Sequence, residues 1–147
     1  MQTVKDLIKV KGDQIWFIQP HAGILQALEL MTQKDIGALP VIDETGLVGI
    51  ISERDIVQML SAAKEFFPED TIERYMTREV ITTTLDSTVE ECMTAMTNFH
   101  VRHLPVVEND RLVGLISIGD VVKSVISERD NMINNLEDYI VGRGYGQ

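Results

Sequence analysis

Cysteine is almost absent. Cys92 is the only one in 147 residues, so no internal disulfide can form, and a reducing, cytoplasmic setting is expected. Basic residues are also scarce: 13 Lys and Arg stand against 23 Asp and Glu, a formal charge of −10. So acidic a chain disfavours broad attraction to nucleic acid or to an anionic lipid surface. No apolar run approaches the roughly 20 residues of a membrane-spanning helix. The opening MQTVKDLIKVKGD alternates charge with apolar residues and lacks the apolar stretch of a signal peptide. Neither a membrane nor a nucleic acid is therefore expected as a partner. Aromatics make up 5%, with Trp16 the single tryptophan. Aliphatic residues are plentiful: hydrophobic positions reach 44% against 24% charged, close to globular averages and enough for a sizeable core.

The dominant feature is an internal repeat. IGALPVIDETGLVGIISERDIV, residues 36–57, aligns without a gap on VRHLPVVENDRLVGLISIGDVV, residues 101–122, at an offset of 65. Ten of the 22 positions are identical, among them Pro40/Pro105, Gly49/Gly114, Ser52/Ser117 and Asp55/Asp120. Five of the other twelve exchange one aliphatic or one acid for another, such as Ile50/Leu115 and Asp43/Glu108. Two copies make a paired fold rather than a solenoid, which needs at least three units.

Each copy resolves into the same elements. Residues 22–33 carry Ile24, Leu25, Ala27, Leu28 and Met31 at helical period, and residues 88–98 do the same with Val89, Cys92, Met93 and Met96. A short strand over residues 39–42 stops at the turn signal Asp43-Glu44-Thr45-Gly46. The next run, residues 47–51, is apolar on both faces, as a buried strand is. Ser52 then opens a helix running to about Lys64. Extended segments at residues 15–18 and 80–83 precede the first helix of each copy. The expected fold is mixed α/β (α+β): two β-α-β-β-α repeats packed as a pseudo-two-fold pair, with a short N-terminal segment. Pro40 and Pro105 open their strands, where a missing N–H is tolerable. The link lies near residues 66–71, and Thr71 can start a short helix toward Met76. Ile126, Met132, Ile133, Leu136 and Tyr139 predict an amphipathic C-terminal helix ending in a glycine-rich tail from Gly142 to Gly146. The expected domains are residues 1–66, 67–126 and 127–147.

At each strand–helix junction a hydroxyl and a carboxylate recur as Ser52-x-x-Asp55 and Ser117-x-x-Asp120. A carboxylate accepts two hydrogen bonds and so can hold the vicinal hydroxyls of a ribose, while the helix N-terminus adds free N–H groups at the same place. The same spacing is also nearly a capping box. The two readings are compatible, since one carboxylate can cap in the empty state.

LPVID…GLVGIISERD and LPVVE…RLVGLISIGD, together with the helix upstream of each, resemble cystathionine β-synthase (CBS) domains. The whole chain resembles a stand-alone tandem pair, or Bateman module, over about residues 4–126. The resemblance implies a regulatory module rather than an enzyme, binding an adenosine ligand in clefts between the repeats. AMP comes first, with ADP, ATP, NAD or S-adenosylmethionine as alternatives, and Mg only beside a polyphosphate. It implies that the segment before one repeat's first helix lines the pocket completed by the other repeat's Ser-x-x-Asp. Gln14, Ile15 and Trp16 then go with Ser117 and Asp120, and Val80 and Ile81 with Ser52 and Asp55. It implies phosphate contacts at Arg102 and His103, whose first-copy counterparts Gly37 and Ala38 lie at the cleft without the charge for that part. Arg54 can serve the cleft around Asp55; its counterpart is Gly119. Other readings of these residues stay open: Arg102 as a solvated charge, His103 as a half-buried neutral imidazole, Trp16 as a core or dimer contact. A homodimer and an unidentified regulated protein are the expected partners. The alternative functions are a ligand-free scaffold, then an enzyme acting on nucleotide or a nucleic-acid binder. No nucleophile–base set, metal-ligand spacing or glycine-rich phosphate loop favours the enzyme.

Overall fold

The structure, a computed structural model, describes residues 2–12 and 14–140; the glycine-rich tail expected at 142–146 lies outside them. The elements are α1 (Val4–Lys11), α2 (Ile24–Lys34), β1 (Ala38–Asp43), β2 (Gly46–Ser52), α3 (Glu53–Ala63), a 3-10 turn (Ile72–Arg74), α4 (Val89–Phe99), β3 (His103–Glu108), β4 (Arg111–Ser117) and α5 (Ile118–Ile140). The expected mixed fold is present, and the repeat holds at the level of hydrogen bonds. β1 and β2 pair antiparallel from Ala38–Ser52 to Asp43–Gly46, with a register shift between Val41 and Ile42. β3 and β4 repeat this from His103–Ser117 to Glu108–Arg111, with the shift between Val106 and Val107.

The extended segments ahead of each first helix reach the hairpins by a single parallel bridge, Ile18 beside Val41 and Thr83 beside Val106. Ile18 N–H donates to Pro40 O at 3.0 Å and Thr83 N–H to Pro105 O at 2.9 Å. The conserved-in-copy prolines therefore lose no ladder bond on that side, because only their carbonyls are used. The hairpin turns differ. Asn109 and Asp110 both take left-handed conformations, as a two-residue primed turn requires. In the first copy Asp43 Oδ1 instead accepts from Thr45 N–H and its hydroxyl at 2.8 and 2.6 Å.

Two hydrophobic cores result. One gathers Ile18, Ile24, Ala27, Met31, Leu39, Val41, Ile51, Ile56, Ile72 and Met76. The other gathers Val4, Leu7, Val89, Cys92, Met96, Leu104, Val106, Ile116 and Val121. Units in space thus differ from units in sequence: α1, encoded ahead of the first copy, closes the second core. It stands where the inter-copy link stands in the first. Ile24 N–H donates to Asp70 O and Ile72 N–H to Ala22 O; correspondingly Val89 N–H donates to Gln2 O and Val4 N–H to Ser87 O. A Cβ on Gly49 would meet Met76 Sδ at 2.6 Å, and one on Gly114 would meet Ile8 Cδ1 at 2.5 Å. Both glycines let their covering segment lie directly on the hairpin.

α1 was not among the elements expected from the sequence. Its signals are nonetheless local: Val4, Leu7 and Ile8 share one helical face, and Asp6 Oδ2 accepts from Thr3 N–H at 3.0 Å as a capping box. The linker turn does form, with Thr71 at its N-cap. The amphipathic C-terminal helix is continuous with the helix after Ser117; α5 runs 23 residues without a break.

Candidate functional site

Both Ser-x-x-Asp junctions close capping boxes. Asp55 Oδ2 accepts from Ser52 N–H and its hydroxyl, each at 2.9 Å, while Asp55 N–H donates to Ser52 Oγ at 3.2 Å. Asp120 Oδ2 accepts from Ser117 N–H at 2.9 Å and its hydroxyl at 3.1 Å. The antiparallel pairing places each serine at the end of its strand, so each carboxylate sits at the lip of a helix N-terminus beside the neighbouring repeat. Asp55 keeps Oδ1 outside the cap, where it accepts only from the Thr77 hydroxyl at 3.2 Å.

That oxygen faces a cleft of about 370 Å³, within the few-hundred Å³ range of small-molecule sites. Ser52, Arg54 and Asp55 form one wall, Val80 and Ile81 another, and Gly37, Arg102 and His103 a third. These eight sequence-derived candidates are brought together. Ala38 is not; it is fully buried at the start of β1 and does not line the cleft. Sequence reasoning missed Thr77, Glu79 and His100, which also line the cleft. Thr77 is placed by exchanging backbone bonds with Ile50, a pairing that no local pattern announces.

The cleft mixes charges. Arg54 and Arg102 are set against Asp55, Glu53 and Glu79, so an anion is held there by particular guanidinium groups rather than by a positive field. Arg54 Nη1 donates to His100 O at 3.3 Å, which anchors the guanidinium on the α4 C-cap at the cleft edge. The His103 ring lies 3.5 Å from where a Cβ on Gly37 would be, ordinary van der Waals distance, so the imidazole packs over Gly37. Burial lowers the His103 pKa below the ordinary imidazole value, helped by Lys11 and Arg102 and opposed by Asp120. His103 is therefore a neutral imidazole at pH 7, a hydrogen-bonding group rather than a cation.

The junction at Asp120 differs. Gln14, Ile15 and Trp16 line only a small cavity of about 40 Å³, shared with Ile8, Lys11, Gly12, Ile36, Gly114 and Leu115. The structure does not bring them around one open space with Ser117 and Asp120. Lys11 Nζ stands there, 2.8 Å from Asp120 Oδ2 and 2.7 Å from Leu115 O. Burial alone would raise the Asp120 pKa, but hydrogen bonds from Lys11 and the Ser117 backbone outweigh it and hold the carboxyl below its usual value. Trp16 packs against the first core and carries Lys34 Nζ 4.1 Å from its ring centroid, a cation–π contact.

Among the described residues no group of three or more His, Cys, Asp or Glu is placed to hold a metal ion, and no helix is long and apolar enough to cross a membrane. Burial raises the Cys92 thiol pKa, and the side chain sits inside the second core.

Comparison with known proteins adds three findings. The CBS domain profile matches residues 4–62 and 72–127. The "CBS domain-containing protein CBSX3, mitochondrial" of Arabidopsis thaliana is 34% identical over 152 residues, spanning 97% of this chain and 73% of that protein. Two crystal structures superimpose closely. The CBS-domain containing protein ATU1752 from Agrobacterium tumefaciens gives a TM-score of 0.80 at 36% identity, over 84% of this chain and 98% of the other. The CBS domain pair of protein MJ0100, solved with 5′-methylthioadenosine and S-adenosyl-L-methionine, gives 0.77 at 28% identity, over 87% and 98%.

Proposed function

The chain belongs to the CBS domain family, with two copies in one polypeptide, and from that premise we propose that it is a regulatory module binding an adenosine nucleotide in the cleft at Asp55. AMP is the first candidate, ahead of ADP, ATP, NAD and S-adenosylmethionine. One observation carries the reading: Asp55 Oδ1, left outside the cap, opens onto a cleft of about 370 Å³ whose other walls supply the segment at Val80 and Ile81 and two guanidinium groups. In the bound state the carboxylate takes the ribose diol in place of Thr77. The backbone at Val80 and Ile81 reads the adenine edge, and Arg54 and Arg102 hold phosphate, with His103 as a neutral partner. The two adenosine compounds in the MJ0100 domain pair support the adenosine half of this assignment. The phosphate half rests on the arginines alone. A divalent ion accompanies only a polyphosphate.

The module signals by packing. Ligand shifts an equilibrium between arrangements only through its differential affinity for them, and an unidentified protein reads the result. The module does no chemistry of its own and works in the cytoplasm, where a lone buried thiol stays reduced. A ligand-free scaffold is the second reading, favoured by the capping boxes that engage one oxygen of each carboxylate without any ligand. A thermal-shift series with the five adenosine ligands separates the two. A ligand at 100 times its dissociation constant adds about 2.7 kcal/mol, which for a domain of this size raises Tm by several degrees. No shift with any of the five leaves the scaffold.

The module also pairs with a second copy. Val57 on α3 and Val122 on α5 occupy equivalent repeat positions and are 64% and 49% exposed. Met93, Ile118 and Val125 extend the same apolar character over α4 and α5. So many exposed aliphatic side chains on neighbouring helices mark an association surface. Sedimentation at micromolar concentration should return twice 16.5 kDa; a 16.5 kDa species overturns the dimer.

A further inference from the structure

We propose that Lys11 is a built-in occupant of the second cleft, its ammonium holding Asp120 where a ribose would bind and keeping that cleft shut, so that one nucleotide enters per chain. The inference rests on the reading of Asp55 as a ribose carboxylate and extends it to the regulation of the second cleft.

The argument starts from the equivalence of α1 and the inter-copy link. Both make the same backbone bonds to their units, and Ile8 and Met76 lie on equivalent glycines. Beyond that point they part. The link leaves its 3-10 turn at Arg74 and Met76 is followed by Thr77, which gives Asp55 a single neutral hydroxyl donor. α1 instead continues past Ile8 to Lys11 and ends at Gly12, whose φ of 95° is one that L side chains rarely adopt. Those three extra residues carry an ammonium to the matching carboxylate.

The consequence is steric and electrostatic together. Asp120 Oδ2 already accepts from Ser117 N–H, the Ser117 hydroxyl and Lys11 Nζ, so a diol gripped through that oxygen must displace Lys11, and one approaching Oδ1 meets the ammonium beside it. Leu115 O fixes the ammonium from the other side at 2.7 Å. The cavity that Lys11 shares with Gln14, Ile15 and Trp16 is about 40 Å³, room for a water or two, and neither Ser117 nor Asp120 lines it, whereas the cleft of about 370 Å³ at the other junction is lined by both Ser52 and Asp55. The pair is only part-exposed, 37% at Lys11 and 20% at Asp120, so solvent screens it incompletely. A lysine delivered to one carboxylate and none to the other make the clefts unequal from a nearly equal pair of motifs.

Calorimetric titration with AMP tests this on the full chain, in wild type, Lys11→Met, Lys11→Arg and the double variant Lys11→Met/Asp120→Asn. Lys11→Met keeps the aliphatic stem and removes the ammonium; Lys11→Arg keeps a cation. Acrylamide quenching of Trp16, the only tryptophan and a wall of the small cavity, gives a second readout that needs no nucleotide. The expected stoichiometry is one AMP per chain in wild type and Lys11→Arg, two in Lys11→Met, and one again in the double variant. Two AMP per wild-type chain, or one in Lys11→Met, overturns the lock. Binding to none of the proteins overturns the ribose role of Asp55 instead. The lock is then judged by quenching alone: a rise in Lys11→Met upholds it, and an unchanged value overturns it.

Discussion

Replacing Asp55 by alanine is expected to weaken AMP binding by about 100-fold, or roughly 2.7 kcal/mol, the order expected for losing charge-assisted hydrogen bonds to a diol. The same change opens the α3 capping box, since Asp55 Oδ2 accepts from Ser52 N–H and Ser52 Oγ, and a lost cap costs about 1 kcal/mol of stability. The two effects separate in one pair of measurements. Titration calorimetry reads affinity, and denaturant unfolding reads stability. Asp120→Ala supplies the control, because it removes the equivalent cap without removing any residue that lines the cleft at Asp55. Affinity unchanged in Asp55→Ala, with stability lowered, would return the carboxylate to capping alone.

Leu104→Ala should be the most destabilising single truncation of the second unit. Leu104 is fully buried on β3 among Val4, Leu7, Val89, Cys92, Met96 and Ile116. Large-to-small changes at such sites cost about 2–5 kcal/mol, because the cavity collapses only in part. In a chain of this length that lowers Tm by roughly 4–20 °C. The form of the transition matters as much as its midpoint. α1 is tied covalently to the first unit and packed into the second, and β2 touches β4, so one cooperative transition should move as a whole. A two-step melt, with one step at the wild-type temperature, would mean that the units unfold independently.

The repeat explains why so much of the fold was legible. A motif that occurs twice at a fixed offset checks itself: Pro40 and Pro105 mark the same strand position, and Gly49 and Gly114 the same close approach. The strands and the paired helices followed from it, whereas the pairing of Val80 and Ile81 with Asp55, and a phosphate role for Arg102 and His103, were implied by the family resemblance. What was not legible lies outside the repeated block. α1 has no second copy in the sequence, since its structural counterpart is an irregular link, Ile72 to Thr77, of different length and composition. Its lysines made the segment read as alternating charge, although Val4, Leu7 and Ile8 make one face. The closed state of the second junction was hidden for the same reason. Ser117-x-x-Asp120 matches Ser52-x-x-Asp55 residue for residue, and the difference is imposed by Lys11, more than a hundred positions away. A motif reports the groups it contains, and has no means of reporting which distant side chain arrives to satisfy them.

The crossed placement of α1 has a consequence for the order in which the protein assembles during synthesis. Residues 2–12 leave the ribosome more than a hundred residues ahead of their partners: Lys11 bonds Leu115, and the Gln2 side chain accepts from the Ser124 hydroxyl. The first core needs nothing beyond Met76 and can close while the remainder is still being translated. The second cannot close until β4 and the start of α5 emerge, and through that interval the apolar face of the first helix stays exposed. Contacts at such sequence separation are slow to form, and apolar surface held open in that interval is where misassembly starts. A nascent chain of this protein is therefore half folded with its leading helix still waiting, and that is the stage at which a chaperone has something to hold.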